Sequence, residues 1–394
     1  MTIQDIFIVG AARTAIGTFG GALKDVPMSQ LATTAVREAL RRSGADPSRV
    51  GHVVMGNVIP TEPRDAYLSR VAAMDAGIPQ EAPAFNVNRL CGSGLQAILL
   101  AAQSLTAGDA EIAVGAGAEA MSRGAYLLPS ARWGARMGDA LVQDYMLSIL
   151  HDPFHQIHMG LTAENVAAQE GITREMQDAL ALSSQQRAAH AIAEGRFKAQ
   201  IVPVELAGRK GTVLFDTDEH VRADVTLEQL ARMKPAFKPD GSVTAGNASG
   251  LNDGAAAVVL ASESAVKAHG LKPLARLVSH GHAGLDPRLM GLGPVPATRI
   301  ALQRAGLKAS DLDVIEANEA FAAQACAVSR LLDLDPDKVN PNGSGISLGH
   351  PVGATGTIIT TKAIYELQRI QGRYALATLC IGGGQGIAAI FERV

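Results

Sequence analysis

The chain has 394 residues, 47% of them hydrophobic, with a net charge of -3 and a pI near 6.4, so it has material for more than one buried core and no basic field for nucleic acid. Aromatics at 4% argue against base stacking, and three cysteines, Cys91, Cys326 and Cys380, are too few for a disulfide framework, which fits a reducing, cytoplasmic setting. The first ten residues carry an Asp and only a short apolar run, too little for a signal peptide, and the longest apolar stretch, 255–261, is far below the roughly 20 residues a bilayer needs.

In chain order, residues 6–10 read as a strand, and Arg37-Glu38-Ala39-Leu40-Arg41-Arg42-Ser43-Gly44 as a helix ended by glycine. A strand at 53–56 follows, then a helical pattern over 95–106 and a strand at 110–115. Residues 121–247, including the Pro- and charge-bearing run 201–240, have no counterpart elsewhere and read as an inserted lobe of the kind that forms lids or assembly loops. Strands at 255–260, 275–279, 312–316, 374–380 and 387–392 complete the set. The first helix reappears as Arg299-Ile300-Ala301-Leu302-Gln303-Arg304-Ala305-Gly306, and Cys91-Gly92 and Gly108 match Thr355-Gly356 and Gly372 at almost the same spacing. A duplicated α/β unit follows, divided as 1–120, an inserted lobe 121–247, a closing strand region 248–270 and a second half 271–394.

Two glycine-flanked cysteines carry the chemistry. Cys91, in Asn88-Arg89-Leu90-Cys91-Gly92-Ser93-Gly94, should sit at a helix N-terminus, where the dipole and free N–H groups favour a thiolate. Cys380 ends a buried strand, where open α/β sheets place ligands, just before Ile381-Gly382-Gly383-Gly384. Either could instead be a small core residue. In Gly349-His350-Pro351, proline holds His350 in an extended loop ahead of a helix, which suits a base. The glycine-dense loop 340–356 lacks the Gly-Lys-Ser/Thr ending of a phosphate cradle. Asn318, opening Asn318-Glu319-Ala320-Phe321, could be an ordinary helix cap. His151, His155 and His158 imitate a zinc helix by spacing, but Pro153 interrupts it, and a pocket or interface role is the better reading; no metal site is assigned.

Taken together, Cys91, Asn318, His350 and Cys380 make the sequence resemble the thiolase family over essentially its whole length. The motifs are 88–94 for the nucleophile, 246–256 for the substrate loop, Asn318 to Phe321 for the NEAF box, 347–356 for the histidine loop and 380–386 for the second cysteine. Gly343-Ser344-Gly345-Ile346-Ser347 departs from a Gly-Gly-Ala-Ile-Ala pattern found in many relatives. The resemblance is closest to bacterial short-chain β-ketothiolases that supply polyhydroxyalkanoate synthesis. It implies two duplicated βαβαβαββ halves forming a five-layered α-β-α-β-α core with an inserted loop lobe. It implies that Cys91 carries the acyl group, His350 takes its proton and Cys380 is the base for carbon–carbon bond formation. His350 with a water held by Asn318 would stabilise one thioester oxygen, and the N–H groups of Cys91 and Gly382 the other. Arg222 would lie near the CoA adenine, Ala248 and Ser249 on the pantetheine arm, and Leu150, His158, Met159, Phe237, Met290, Ala320 and Phe321 along the tunnel. It further implies CoA thioesters as substrates with no resident cofactor, and a homotetramer built as a dimer of dimers through residues 121–138.

Three functions stay in view: a biosynthetic β-ketothiolase using acetyl-CoA with acetyl-CoA or propionyl-CoA, a degradative 3-ketoacyl-CoA thiolase of β-oxidation, and a CoA or lipid carrier without turnover. The last needs a broken set of catalytic residues, and this set is whole. Decarboxylating ketoacyl synthases use two histidines where this chain has His350 and Cys380.

Overall fold

The computed structural model describes residues 5–208 and 211–394. Residues 1–4 of the N-terminal segment and 209–210 of the run 201–240 lie outside it. In the first half the elements that place the site are β1 (Ile6–Thr14), α1 (Met28–Ser43), β2 (Val50–Gly56), β3 (Ala84–Val87), α2 (Ser93–Ala107) and β4 (Ile112–Ala120), with a short helix, Leu68–Asp75, between β2 and β3. After the inserted lobe, which contains α3 (Arg174–Ala193), the first half closes with β5 (Asn252–Ser262). The second half has β6 (Ala275–Gly284), α4 (Pro294–Ala305), β7 (Val314–Ala317), α5 (Ala322–Leu331), α6 (Thr355–Ile370), β8 (Tyr374–Ile381) and β9 (Gln385–Arg393).

The halves repeat one topology. Strands run β3-β2-β4-β5-β1 in the first and β7-β8-β9-β6 in the second. A lone parallel bridge from Ile315 to Val339 stands where the second half would have its counterpart of β3. The two sheets meet where β1 pairs with β6 through Phe7 with Arg276 and Ile8 with Ala275, so the hydrogen-bonded ladder is continuous at that corner. β4 and β5 are buried along their whole length, as strands covered on both faces must be.

Three packed cores separate the layers. α1 packs on the outer face of the first sheet through Leu31, Val36 and Leu40. Between the sheets, Leu95, Ile98 and Leu99 of α2 meet Ile359 and Ile364 of α6, with Val258 from one sheet and Leu379 and Phe391 from the other. α4 and α5 cover the far face through Ala301, Leu302 and Val328. This is the α-β-α-β-α order. The stretch Leu90–Ala107 is apolar and long enough, over 18 residues, to cross a membrane by length and composition. Here it forms half of the central layer.

Close approach of α2 and α6 at their first turns positions everything that follows. A Cβ on Gly94 would lie 2.8 Å from the Thr357 nitrogen, and one on Gly356 would collide with the Leu95 backbone. Only glycine lets the two N-termini touch. The loop before α2 holds Cys91 and the loop before α6 holds His350, so duplication itself brings both to one end of the central layer.

The structure also departs from the sequence-based expectations. β3, a four-residue strand, is absent from them because its burial is only partial and its run too short for periodicity. α1 and α4 do end in left-handed Gly44 and Gly306, and Gly108 likewise closes α2. α6, however, turns at Gln371 (φ 55°) rather than at Gly372. The inserted lobe is anchored by Arg13, whose guanidinium meets Asp218 at 2.7 Å and Gln200 at 2.7 Å, with both ion-pair side chains buried.

Candidate active site

Cys91 sits on a tight, strained turn between β3 and α2. Leu90 adopts φ 46°, a left-handed conformation that costs a residue with a Cβ roughly 1–3 kcal/mol. Local bonds hold it: Asn88 Oδ1 accepts from Leu90 N at 2.9 Å, while Ser93 Oγ accepts from Arg89 N at 2.8 Å and donates to Leu90 O at 2.6 Å. Gly92 lies close against the second sheet, where a Cβ would meet Ile381 Cδ1 at 2.5 Å. Cys380 lies one residue before the end of β8, paired with Gly386 of β9. The turn between these strands uses left-handed Gly383 and Gly384 (φ 78° and 77°), and the N–H of Gly382 is aimed at Cys91.

His350 arrives from the second half. Its backbone N–H donates to Asn252 Oδ1 at 2.9 Å, and Nδ1 is 2.7 Å from Thr355 Oγ1. Asn318 follows β7, and its amide nitrogen is 3.5 and 3.4 Å from the two imidazole nitrogens, so it caps the ring rather than bonding in line with either. Asn318 Oδ1 is buried without a protein partner among the described residues. Glu119, at the end of β4, ties these loops together. Its carboxylate accepts from Asn57 Nδ2 at 3.0 Å, Val58 N at 3.1 Å, Ile59 N at 3.0 Å and, in the histidine loop, Gly353 N at 2.8 Å.

Burial sets the charge state. It pushes the Cys91 thiol up to about 11, against the pull of the Gly382 N–H and its own N–H. It pushes Cys380 well above the usual thiol range, with neighbouring Cys91 adding to the effect, and lowers His350 to about 4. At rest the centre is therefore two thiols and a neutral imidazole. That differs from the thiolate expected at the start of α2: desolvation outweighs the helix dipole here.

Cys91, His350, Cys380 and Gly382 line one cavity of about 290 Å³, together with Leu150, His158, Met159, Phe237, Ala248, Ser249, Met290, Ala320 and Phe321. Asn318 stands behind His350. Arg222 does not reach this cavity; it lines a neighbouring one of about 120 Å³ with His220 and Gln185, and Gly250 borders both. The substrate loop and NEAF box are one unit: Ala248 bridges Phe321, Ser249 N donates to Ala320 O at 2.9 Å and Ala322 N to Asn247 O at 2.8 Å. His158 stacks on Phe237 at 4.7 Å, Nδ1 accepting from Gly160 N, and burial keeps it neutral. His151 packs edge-on against His158 at 5.1 Å, whereas His155 is exposed in the turn after Pro153. Sequence reasoning missed Val58, Met121, Leu147 and Ile149 in the wall and Glu119 behind it, and gave no role of their own to Leu251, Asn252, Val352 and Thr355 inside the motifs 246–256 and 347–356. Val58 and Met121 just follow β2 and β4, the strand ends where such folds bind ligands, and that was the available signal.

Comparison with known proteins agrees with this geometry. Residues 6–264 match a family described as thiolase, N-terminal domain, and residues 271–393 one described as thiolase, C-terminal domain. The chain is 65% identical over 392 residues to the beta-ketothiolase BktB of Cupriavidus necator, covering 99% of this chain and 100% of that protein. It is 50% identical over 393 residues to an acetyl-CoA acetyltransferase of Pseudomonas aeruginosa, again 99% and 100%. The solved structure of human mitochondrial 3-ketoacyl-CoA thiolase in complex with CoA superposes with a TM-score of 0.96 at 45% identity, over 100% of this chain and 98% of that one.

Proposed function

The chain belongs to the thiolase family, and from that premise we propose the following course for its reaction. The protein is a β-ketothiolase, an acyltransferase that condenses acetyl-CoA with acetyl-CoA or a short acyl-CoA such as propionyl-CoA, reversibly, to a β-ketoacyl-CoA and CoA. One observation carries the assignment of roles: two cysteines from opposite halves and a neutral imidazole border the same cavity.

His350 Nε2 takes the Cys91 proton as the sulfur attacks the acyl-CoA carbonyl. The departing CoA sulfur takes the Cys380 proton. What remains is an acyl group on Cys91, a thiolate on Cys380 and an imidazolium on His350, and net charge is conserved. Cys380 then removes a proton from the methyl carbon of the incoming acetyl-CoA, and its burial makes that thiolate a strong base. The carbanion attacks the Cys91 thioester, and the Cys91 sulfur leaves and recovers its proton from His350. The acyl oxygen is held by the N–H groups of Cys91 and Gly382, the enolate oxygen by protonated His350 and a water on Asn318. Each donor lost costs on the order of 3 kcal/mol in the transition state.

CoA thioesters are the partners in this scheme, with Ala248, Ser249, His158 and Phe237 along the pantetheine arm and Arg222 nearer the adenine. The enzyme works in the cytoplasm without a resident cofactor and supplies polyhydroxyalkanoate synthesis. A dimer of dimers is supported by the exposed apolar side chains of the arm that opens the inserted lobe, Trp133 (87%) and Met137 (96%) foremost. Cys380→Ser should still acquire an acetyl mass on Cys91 yet lose condensation; unchanged condensation would end the assignment. Thiolysis kcat/KM across C4 to C16 β-ketoacyl-CoA separates this function from long-chain degradation, which a preference for long chains would favour.

A further inference from the structure

Taking His350 as the base for Cys91, as proposed above, we infer that Thr355 is a positioning residue whose hydroxyl holds His350 in the tautomer protonated on Nδ1, leaving the Nε2 lone pair for the Cys91 proton. Thr355 Oγ1 is 2.7 Å from His350 Nδ1 and 2.9 Å from Pro351 O. A carbonyl oxygen only accepts, and a hydroxyl has one hydrogen to give. Directed to Pro351 O, the usual back-bond of a threonine to the carbonyl four residues earlier, that hydrogen leaves Oγ1 as an acceptor facing Nδ1. Nδ1 must then carry the single proton of a neutral imidazole. The other arrangement, Thr355 donating to Nδ1, puts the proton on Nε2, where it blocks removal of the Cys91 proton.

The surroundings make this bond decisive. His350 is buried, its backbone N–H is already committed to Asn252, and among the described residues the other side chain hydrogen-bonded to the ring is Asn318, nearly equidistant from both nitrogens and so indifferent to the tautomer. Thr355 opens α6 and is itself buried, so its rotamer is fixed by the helix. It does not line the cavity, and acts through His350.

The experiment compares wild type with Thr355→Val, which keeps the branched shape without the hydroxyl, and Thr355→Ser, which keeps the hydroxyl. Rapid-quench mass spectrometry would follow acetylation of Cys91 by acetyl-CoA, and calorimetry CoA affinity. Solid-state NMR of 15N-histidine protein, with His350→Asn to assign the signal, would read the tautomer. Thr355→Val should acetylate about tenfold to a hundredfold more slowly at unchanged CoA affinity, with mixed tautomers, while Thr355→Ser stays within about threefold of wild type. A resting His350 protonated on Nε2 in the wild type overturns the inference, as does wild-type acetylation by Thr355→Val. If Thr355→Val fails to fold, the wild-type spectrum and Thr355→Ser decide. A wild type that acquires no acyl group on Cys91 would instead defeat the proposed reaction, which these outcomes otherwise leave standing.

Discussion

Replacing Glu119 by Gln tests whether one carboxylate holds the two catalytic loops in register. All four of its neighbours are donors, Asn57 Nδ2, Val58 N, Ile59 N and Gly353 N. A proton on either oxygen would face an N–H, so the donors pull toward the carboxylate, but burial outweighs them and pushes the pKa up to about 8. Gln keeps the shape but turns one acceptor into a donor. With its amide on the Oε2 side, the N–H groups of Val58 and Gly353 are both stranded. With it on the Oε1 side, Asn57 can flip to offer its own oxygen, giving up its 3.3 Å bond to Ala118 O, and Ile59 N–H is the one donor left without an acceptor. The second orientation is cheaper, and one buried N–H without an acceptor costs about 1–3 kcal/mol. Urea denaturation should show a loss of that size. Because Glu119 also raises the Cys91 pKa, the folded fraction should alkylate faster at Cys91 with iodoacetamide. Stability within about 0.5 kcal/mol of wild type, together with unchanged alkylation, would refute the claim that the Glu119 oxygens brace the site.

With Cys91 pushed up to about 11 and His350 lowered to about 4, His350 is unprotonated at every pH above about 5, so the acid limb of Cys91 acetylation should lie near 4; a limb near the ordinary histidine value of about 6.5 contradicts this. Alkylation of free Cys91 should climb about tenfold per pH unit between pH 7 and 10, and a plateau below pH 8 would show a thiolate at rest. A Cβ at Gly160 would collide with the Phe237 ring, so Gly160→Ala should raise KM for CoA thioesters severalfold while kcat holds, as thiolysis kinetics would report. Arg13→Met leaves the buried Asp218 charge with the Ile16 N–H as its one donor among the described residues and should cost about 3–5 kcal/mol in denaturation, a loss that Asp218→Leu in the same chain restores in part, since Ile16 N–H then loses its acceptor. Trp133→Ser with Met137→Ser should shift a tetramer to dimers in sedimentation; an unmoved boundary removes the arm from the assembly.

The parts of the site that were legible in the sequence are those whose chemistry is carried by residue type. A cysteine between glycines, a His-Pro pair and an Asn after a strand announce themselves because few residues do their work. Glu119 and Asn252 act through what they touch, and their partners lie on segments far away in the chain: Gly353 for Glu119, Gly17 and His350 for Asn252. Local pattern carries no trace of that. Thr355 reaches back only to His350 and Pro351 in its own loop, but a threonine opening a helix is too common for residue type alone to announce the contact. β3 escaped for a related reason, since four residues at a sheet edge, three half-buried and Phe85 exposed, take their conformation from β2 beside them rather than from their own periodicity. The displaced end of α6 shows the converse, in that Gln371 enters a left-handed turn that the glycine next to it would have accepted more cheaply.

Burial acts in one direction on all three central groups: it keeps both thiols protonated and the imidazole neutral. A centre so arranged holds no standing thiolate for oxidants or stray electrophiles, and in the proposed reaction the ion pair of Cys380 thiolate with His350 imidazolium arises only when an acyl group has reached Cys91. The first half-reaction thereby charges the base needed for the second. Duplication makes this coupling possible, because the close contact of Gly94 and Gly356 that joins the two halves also sets the loop of one sulfur beside the loop of the imidazole. A side chain at either glycine should therefore damage both half-reactions together, and acetylation that survives in Gly94→Ala while condensation fails would break the link between helix contact and chemistry.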